Sequence, residues 1–345
     1  MRLAWFLVVL LFAGILVMDI AARKMLNVGI PDILANFPFP DVEIRKSVGK
    51  FERSYPATIK GLWEPSPIHF TKAVRDERLK ELGVNTVSVS VEYEFDKEGR
   101  LHLKSGEEEL ISNIIRAKRA GFAVLVAPNF VGPGGYNFVE EGIPVTKEKY
   151  LQVSREVALK WADISERYGV EFFAPQNELD VTVRQFCEDG ELTRLVESWH
   201  REVLPELREL FHGKLVAKLA DSYPELNLSG YDYVGVTVYH GNLGLEEFRN
   251  FVRGEYSRLV SSSRVSGADC LVTEVWLPYG GPFYSFTESR EGVSLDELQD
   301  DYFRISIEEL PSSCKGYVFM AWTMPGMDVR GRPAEQVLRE FFGSI

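Results

Sequence analysis

The sequence predicts a (β/α)8 TIM barrel preceded by an N-terminal hydrophobic segment. Eight short apolar, β-rich runs recur between residues 58 and 322. Amphipathic stretches with helix start and stop signals separate them, the alternation that builds a parallel sheet wrapped in helices. The first run leads into Gly61-Leu62-Trp63-Glu64-Pro65, which is not the Gly-rich phosphate turn of a doubly wound open sheet, the competing fold.

In chain order, residues 3–18 come first, an unbroken apolar run of 16 behind Arg2. It reads as a secretory signal or an uncleaved anchor, slightly short for a span of about 20 residues. Residues 3–22 are thus candidates for membrane attachment, and the rest of the chain is expected to work outside the cytoplasm. A buried core helix is the competing reading. Residues 25–55 carry several prolines and charges without a period, and are expected to be a spacer that folds back over the barrel. The barrel is assigned to residues 56–345 and the export or anchoring segment to 1–24.

The expected strands are 58–63, 85–91, 123–128, 171–176, 214–219, 233–238, 270–275 and 316–322. Each is nearly continuously apolar, as strands covered on both faces must be. Between the second and third, Ser105-Gly106-Glu107-Glu108 reads as a capping box ahead of Leu110, Ile111, Ile114 and Ile115, with Gly121 as the stop. Residues 147–168 form a long helical stretch. Leu192, Leu195, Val196, Trp199 and Val203 follow the helical period, with Pro205 as a kink or break. Residues 221–231, with Pro224 and Gly230, are too short for a full helix; 295–310 and 334–342 supply the last two.

Composition limits function. Of 345 residues, 45% are hydrophobic and 26% charged, too apolar for disorder and too charged for a multi-span membrane protein. The net charge of −12 excludes the basic footprint of a nucleic-acid binder. Three cysteines exclude a disulfide-stapled scaffold. Cys270 and Cys314 begin neighbouring strands; an extracytoplasmic location permits a disulfide there, strand stagger can equally separate the pair, and free buried thiols are the default expectation. Scarce Gln beside many Glu, Lys and Arg hints at a thermophilic source.

Barrel chemistry lies at the C-terminal ends of the strands. Read in order, those ends offer Trp63; Glu92 and Tyr93; Asn129; Asn177 and Glu178; Asp221; Tyr239 and His240; Glu274 and Trp276; and Trp322. No Ser-His-Asp arrangement appears. The five histidines, at 69, 102, 200, 212 and 240, are scattered, so neither a zinc site nor any cofactor is expected. Glu178 and Glu274 each follow a buried strand, where a carboxylate is costly unless it sits at a mouth or is paired. They end strands four and seven, on opposite sides of a barrel, and can face each other across a cleft. Two carboxyl groups in unlike environments are what glycosidic acid/base cleavage needs.

These residues resemble glycoside hydrolase clan A, the retaining (β/α)8 glycosidases with glutamates after strands four and seven. The matching positions are Asn177-Glu178, Glu274, Tyr239 in VGVTVYHG and Trp322 in GYVFMAW. Within the clan, KGLW on strand one, ELGVNTVSVSVEYEF on strand two and IIRAKRAGFAVLVAPNF on strand three are most similar to family 113, the β-1,4-mannanases. The sequence departs from clan habit at Val91-Glu92-Tyr93, where many members carry an Arg, at Pro128-Asn129-Phe130 and at Glu178-Leu179. The resemblance implies a carbohydrate substrate, Glu178 as acid/base, Glu274 as nucleophile, Tyr239 as a donor to it, and Asn177 at the sugar 2-hydroxyl.

Trp63, Trp276 and Trp322 are candidate sugar platforms, with Tyr93, Phe130 and Tyr279 weaker ones, because an aromatic face packs against pyranose C–H groups. Asn129 and His240 complete the candidate substrate-binding set. Long loops over 130–146 and 276–293 suit an extended chain substrate. A non-catalytic carbohydrate-binding barrel and a metal-dependent barrel hydrolase are the alternatives; the latter wants clustered His and Asp at strand ends.

Overall fold

The computed structural model describes residues 49–133, 142–188, 190–239, 243–277 and 294–345. The expected signal or anchor, most of the spacer, and much of the two long loops lie outside the described residues. Among the described residues, no helix is long and apolar enough to cross a membrane.

Among the described residues, nine strands form one sheet: β1 (Ile59–Glu64), β2 (Thr86–Phe95), β3 (Leu101–Leu103), β4 (Ala123–Val131), β5 (Phe172–Phe173), β6 (Lys214–Leu219), β7 (Tyr233–Val238), β8 (Asp269–Val275) and β9 (Gly316–Met320). All neighbours pair in parallel except β3, which folds back on β2. Their order is β1-β9-β8-β7-β6-β5-β4-β2-β3, and β1 also pairs β2, closing an eight-stranded barrel with β3 outside it. All eight expected strands are present. The antiparallel β3 was not expected; Asp96 turns the chain by accepting from the backbone of Glu98 at 3.0 Å and Arg100 at 2.8 Å.

The helices are α1 (Pro67–Arg75), α2 (Glu77–Glu81), α3 (Glu107–Arg119), α4 (Lys147–Arg167), α5 (Leu179–Val183), α6 (Leu192–Leu210), α7 (Leu245–Ser266), α8 (Leu295–Glu308) and α9 (Pro333–Ser344). α3 buries Leu110, Ile111, Ile114 and Ile115, and Gly121 follows it at φ 88°, as expected. The expected capping box does not form. Gly106 is the N-cap, one residue beyond Ser105, and no side chain caps it. Pro205 does not break α6, which runs on to Leu210 because Val196, Trp199, Val203 and Leu207 hold one face buried. No helix forms over 221–231, again as expected.

Ile59, Leu125, Phe172, Val216, Leu271 and Val318 fill the barrel, with Trp63 and Met320 towards its mouth. The opposite, N-terminal end is sealed by the last spacer residues. The Arg53 guanidinium donates to the Val170 carbonyl at 2.7 Å, and the buried Glu171 carboxylate accepts from the backbone N–H of Ser54 at 3.0 Å and Val124 at 2.9 Å and pairs with Lys118. Cys270 and Cys314 are joined in a disulfide, correcting the expectation of free thiols; Cys187 is free.

His200, fully buried on α6, has one ring nitrogen 2.8 Å from the Tyr231 hydroxyl. Burial pushes it down to about 3. Its folded value lies below the ordinary one, so its contribution to stability is present above about pH 6.5 and is lost as pH falls towards 3. His200→Gln is expected to flatten the loss of stability between pH 6.5 and 4 in urea titrations; an unchanged slope overturns this.

Candidate active site

The chain leaves the short β5 along Ala174–Glu178 without a full ladder. Asn177 forms an isolated parallel bridge with Lys218, and its N–H donates to the Pro128 carbonyl at 2.6 Å. Glu178 then takes a left-handed conformation at φ 49°, the one non-glycine with positive φ among the described residues. Such backbone costs of order 1–3 kcal/mol and persists where surroundings fix it. Here α5 fixes it from the other side. The buried Asp180 carboxylate accepts from the N–H groups of Ala220 and Asp221, each at 3.0 Å, and from the Tyr223 hydroxyl at 3.1 Å. Burial pushes Asp180 up to about 6 against those bonds, with the nearby Glu178 charge adding to the push.

Glu274 reaches the same place from β8. That strand carries an extra residue between its pairings: Val236 faces Val272, but Thr237 faces Glu274. Bulges of this kind re-aim side chains beside active sites. The two glutamates meet at Lys218 of β6. Its ammonium lies 2.8 Å from Glu274 Oε2 and 3.3 Å from Glu178 Oε1. The nearer oxygens of the two carboxylates therefore lie no more than about 6 Å apart. Lys218 also donates to the Thr237 hydroxyl at 3.3 Å, while Thr237 donates to Glu178. Above the ammonium sits the Trp63 ring, 4.6 Å to its centroid.

Burial differs between the acids: the Glu274 side chain is 9% exposed and that of Glu178 24%. Burial pushes the Glu274 carboxyl up; Lys218 pulls it down, Glu178 pushes up again, and the Trp276 side chain favours the charged form. For Lys218, desolvation works against the ammonium, but the charges of Glu274 and Glu178 outweigh it and hold the group above its ordinary value.

Other expected site residues fall on both sides of the barrel wall. Asn177 donates to Asn129 at 3.3 Å, and its own side-chain oxygen is buried with no partner among the described residues. Tyr239 stacks on Trp276, ring centroids 4.1 Å apart, beside Glu274. Trp63 is at the site but only 3% exposed, so Lys218 rather than open space occupies its face. Three platforms, Trp322, Tyr93 and Phe130, are corrected. Trp322 is fully buried, and its indole donates to Asp76 at 2.8 Å, so no face of it is open to a sugar. Tyr93 is buried against the helices, its hydroxyl accepting from Trp161 of α4 at 3.0 Å and its ring stacked on the equally buried Phe130. His240 and Tyr279 lie outside the described residues.

Sequence reading missed Lys218, Thr237 and Glu64. A lysine inside the apolar run of β6 is itself the signal, since a buried ammonium demands a partner. Glu64, at the end of β1, accepts from the backbone N–H groups of Trp322 at 2.8 Å and Thr323 at 3.0 Å, and burial pushes it up to about 7. No group of three or more His, Cys, Asp or Glu among the described residues could hold a metal ion.

The sequence matches no protein-family model and no curated protein. Solved structures give the likeness. A GH113 β-1,4-mannanase in a complex superposes with TM-score 0.64 at 18% identity, covering 84% of this chain and 100% of that one. This chain has the fold of the family 113 β-mannanases. The GH113 β-mannanase from Alicyclobacillus acidocaldarius, solved with ManMIm, gives TM-score 0.64 at 16% identity over 84% of this chain and 98% of its own. A GH2 β-galacturonidase from Eisenbergiella tayi gives 0.55 at 13% over 84% of this chain and 51% of its own.

Proposed function

We propose that this chain is a retaining glycoside hydrolase acting on β-linked hexose polysaccharides or oligosaccharides, with β-1,4-mannan or β-glucan favoured. The observation that carries the reading is the convergence of Glu178 and Glu274, from the fourth and seventh barrel strands, on one ammonium. Retaining glycosidases hold their carboxyl groups about 5–5.5 Å apart and inverting ones about 6.5–9.5 Å. The shared ammonium brings one oxygen of each acid to within about 6 Å of the other, which is compatible with the retaining spacing, and the retaining choice itself rests on the resemblance to clan A.

In this reading the Glu274 carboxylate attacks the anomeric carbon as the glycosidic C–O bond breaks, and Glu178 gives its proton to the leaving oxygen. Water then attacks the glycosyl ester; Glu178 takes its proton, and Glu274 leaves as carboxylate. The Asn177 side-chain oxygen, without a partner among the described residues, suits accepting from the sugar 2-hydroxyl, and Trp276 with Tyr239 offers an aromatic face at the rim. The mannan preference rests on the named family 113 structures. An extracytoplasmic, secreted or anchored protein is supported by the Cys270–Cys314 disulfide, which persists in oxidising compartments. A non-catalytic carbohydrate-binding barrel is the second reading, favoured by the engagement of both acids with Lys218 at rest.

Assaying β-mannan, β-glucan, galactan and xylan tests the proposal. One polymer should be cleaved, with the anomeric configuration retained in the first product by proton NMR. Glu178→Gln and Glu274→Gln are each expected to lose on the order of 10²-fold or more. Full activity in both variants overturns the site; binding without cleavage selects the second reading.

A further inference from the structure

Lys218 has a role beyond holding two acids together. All three of its protons have acceptors within reach: Glu274 at 2.8 Å, Glu178 at 3.3 Å and Thr237 at 3.3 Å. Its side chain is fully buried, and the Trp63 ring closes the remaining side at 4.6 Å. The ammonium is therefore fixed between the carboxylates. We propose that Lys218 is the counter-ion that keeps this site neutral on both sides of the reaction, pairing with Glu274 in the free enzyme and with Glu178 once Glu274 is esterified.

This rests on the retaining reading, and the charge inventory follows from it. Before attack, Glu178 is protonated, Glu274 is ionised and Lys218 is a cation, so the three groups sum to zero. After attack, Glu274 is a neutral ester and Glu178 has lost its proton to the leaving group. The negative charge has crossed from one acid to the other, and the sum is again zero. A cation fixed between them spares the buried site an uncompensated charge in either state. Without it, the first half-reaction would start from a lone buried carboxylate and the second from a lone, partly buried one. The acids that face Lys218 are Glu274 from β8 and Glu178, which follows β5. Its neighbours from β7 and β1, Thr237 and Trp63, do not ionise in this range; Asp180 lies one step further out, within the field of Glu178.

The test compares Lys218→Met with Lys218→Arg. Carboxyl titrations are read by carbon NMR on protein with glutamate labelled at the side-chain carboxyl, with Glu178→Gln and Glu274→Gln identifying the two signals. Removing the cation should raise both titrations by about one pH unit or more, since an opposite charge at this range moves a carboxyl by roughly 1–3 units. The bell-shaped kcat/KM profile on the cleaved polymer should move up as a whole, whereas Lys218→Arg should leave it near wild type. Titrations and profile unmoved in Lys218→Met overturn the proposal; a purely structural role would lower activity without moving either. Shifted titrations in a protein that cleaves no glycan keep the charge assignment and overturn the glycosidase reading instead. If Lys218→Met does not fold, the charge-balanced double variant Lys218→Met/Glu274→Gln is compared with Glu274→Gln alone. Glu178 should then hold its proton to higher pH in the double variant, and an unchanged titration overturns the proposal.

Discussion

Glu274→Gly is expected to lose on the order of 10⁴-fold or more in hydrolysis of an activated aryl glycoside, and to regain turnover with added azide. Removing the side chain leaves space on the face from which the carboxylate attacks, while Glu178 stays behind to protonate the leaving group. Azide entering that space attacks the anomeric carbon once, so the product is the inverted α-azide from a β-glycoside. Glu178→Gly should behave differently. A dinitrophenyl leaving group needs no protonation, so the ester on Glu274 still forms; azide then replaces it from the other side and gives a β-azide. Chromatography and proton NMR of the glycosyl azides separate the cases. An α-azide from the Glu178 variant would exchange the two roles, and no azide from either would remove the covalent step. Burial alone does not assign the roles. Glu274 is the more deeply buried acid, and burial pushes its carboxyl up. The proposed role as ionised nucleophile therefore leans on Lys218, 2.8 Å away, and on the Trp276 side chain, both of which favour its charged form.

The strands were legible because both faces of each are covered, which leaves an apolar run that needs no alternation. The two acids were legible for the converse reason: a carboxylate straight after such a run is costly unless it has work or a partner. Which way a strand-end side chain points was not legible. Tyr93 and Glu92 are adjacent, and pleating sends one to the helix layer and leaves the other paired with Lys104. Trp322 lies two residues beyond the end of β9, where strand alternation no longer governs direction, and its indole finds Asp76. Lys218 lies inside β6, before the strand end, so its place in the chain does not mark it as the residue that joins the two acids. The bulge on β8 is likewise invisible in sequence, since Val272, Thr273 and Glu274 read as ordinary strand residues.

Replacing Cys270 and Cys314 together with alanine is expected to lower the unfolding free energy by about 4 kcal/mol while leaving hydrolysis intact. The register explains why the bond forms. Val272 pairs with Tyr317 across β8 and β9, and the Lys315 N–H donates to the Cys270 carbonyl at 2.8 Å. Cys314, one residue earlier, is brought to a Cα–Cα distance of 4.6 Å, inside the range a disulfide spans. Strand stagger, the ground for expecting free thiols, is therefore small at this edge. The two cysteines lie 44 residues apart, and in the loop-entropy account closing a loop of that size in the unfolded chain is worth about 4 kcal/mol. Within that loop run β8, with Glu274 at its far end, and α8. The bond sits where β8 begins, so its removal leaves the Lys218 cluster untouched at the opposite end of the strand. Urea titrations of wild type and double variant, each under non-reducing conditions and again with reductant, check the magnitude. Reductant should bring wild type down to the variant and leave the variant unchanged. A loss below about 1 kcal/mol would mean that the barrel ladder around Cys270, and not the covalent bond, holds this edge closed.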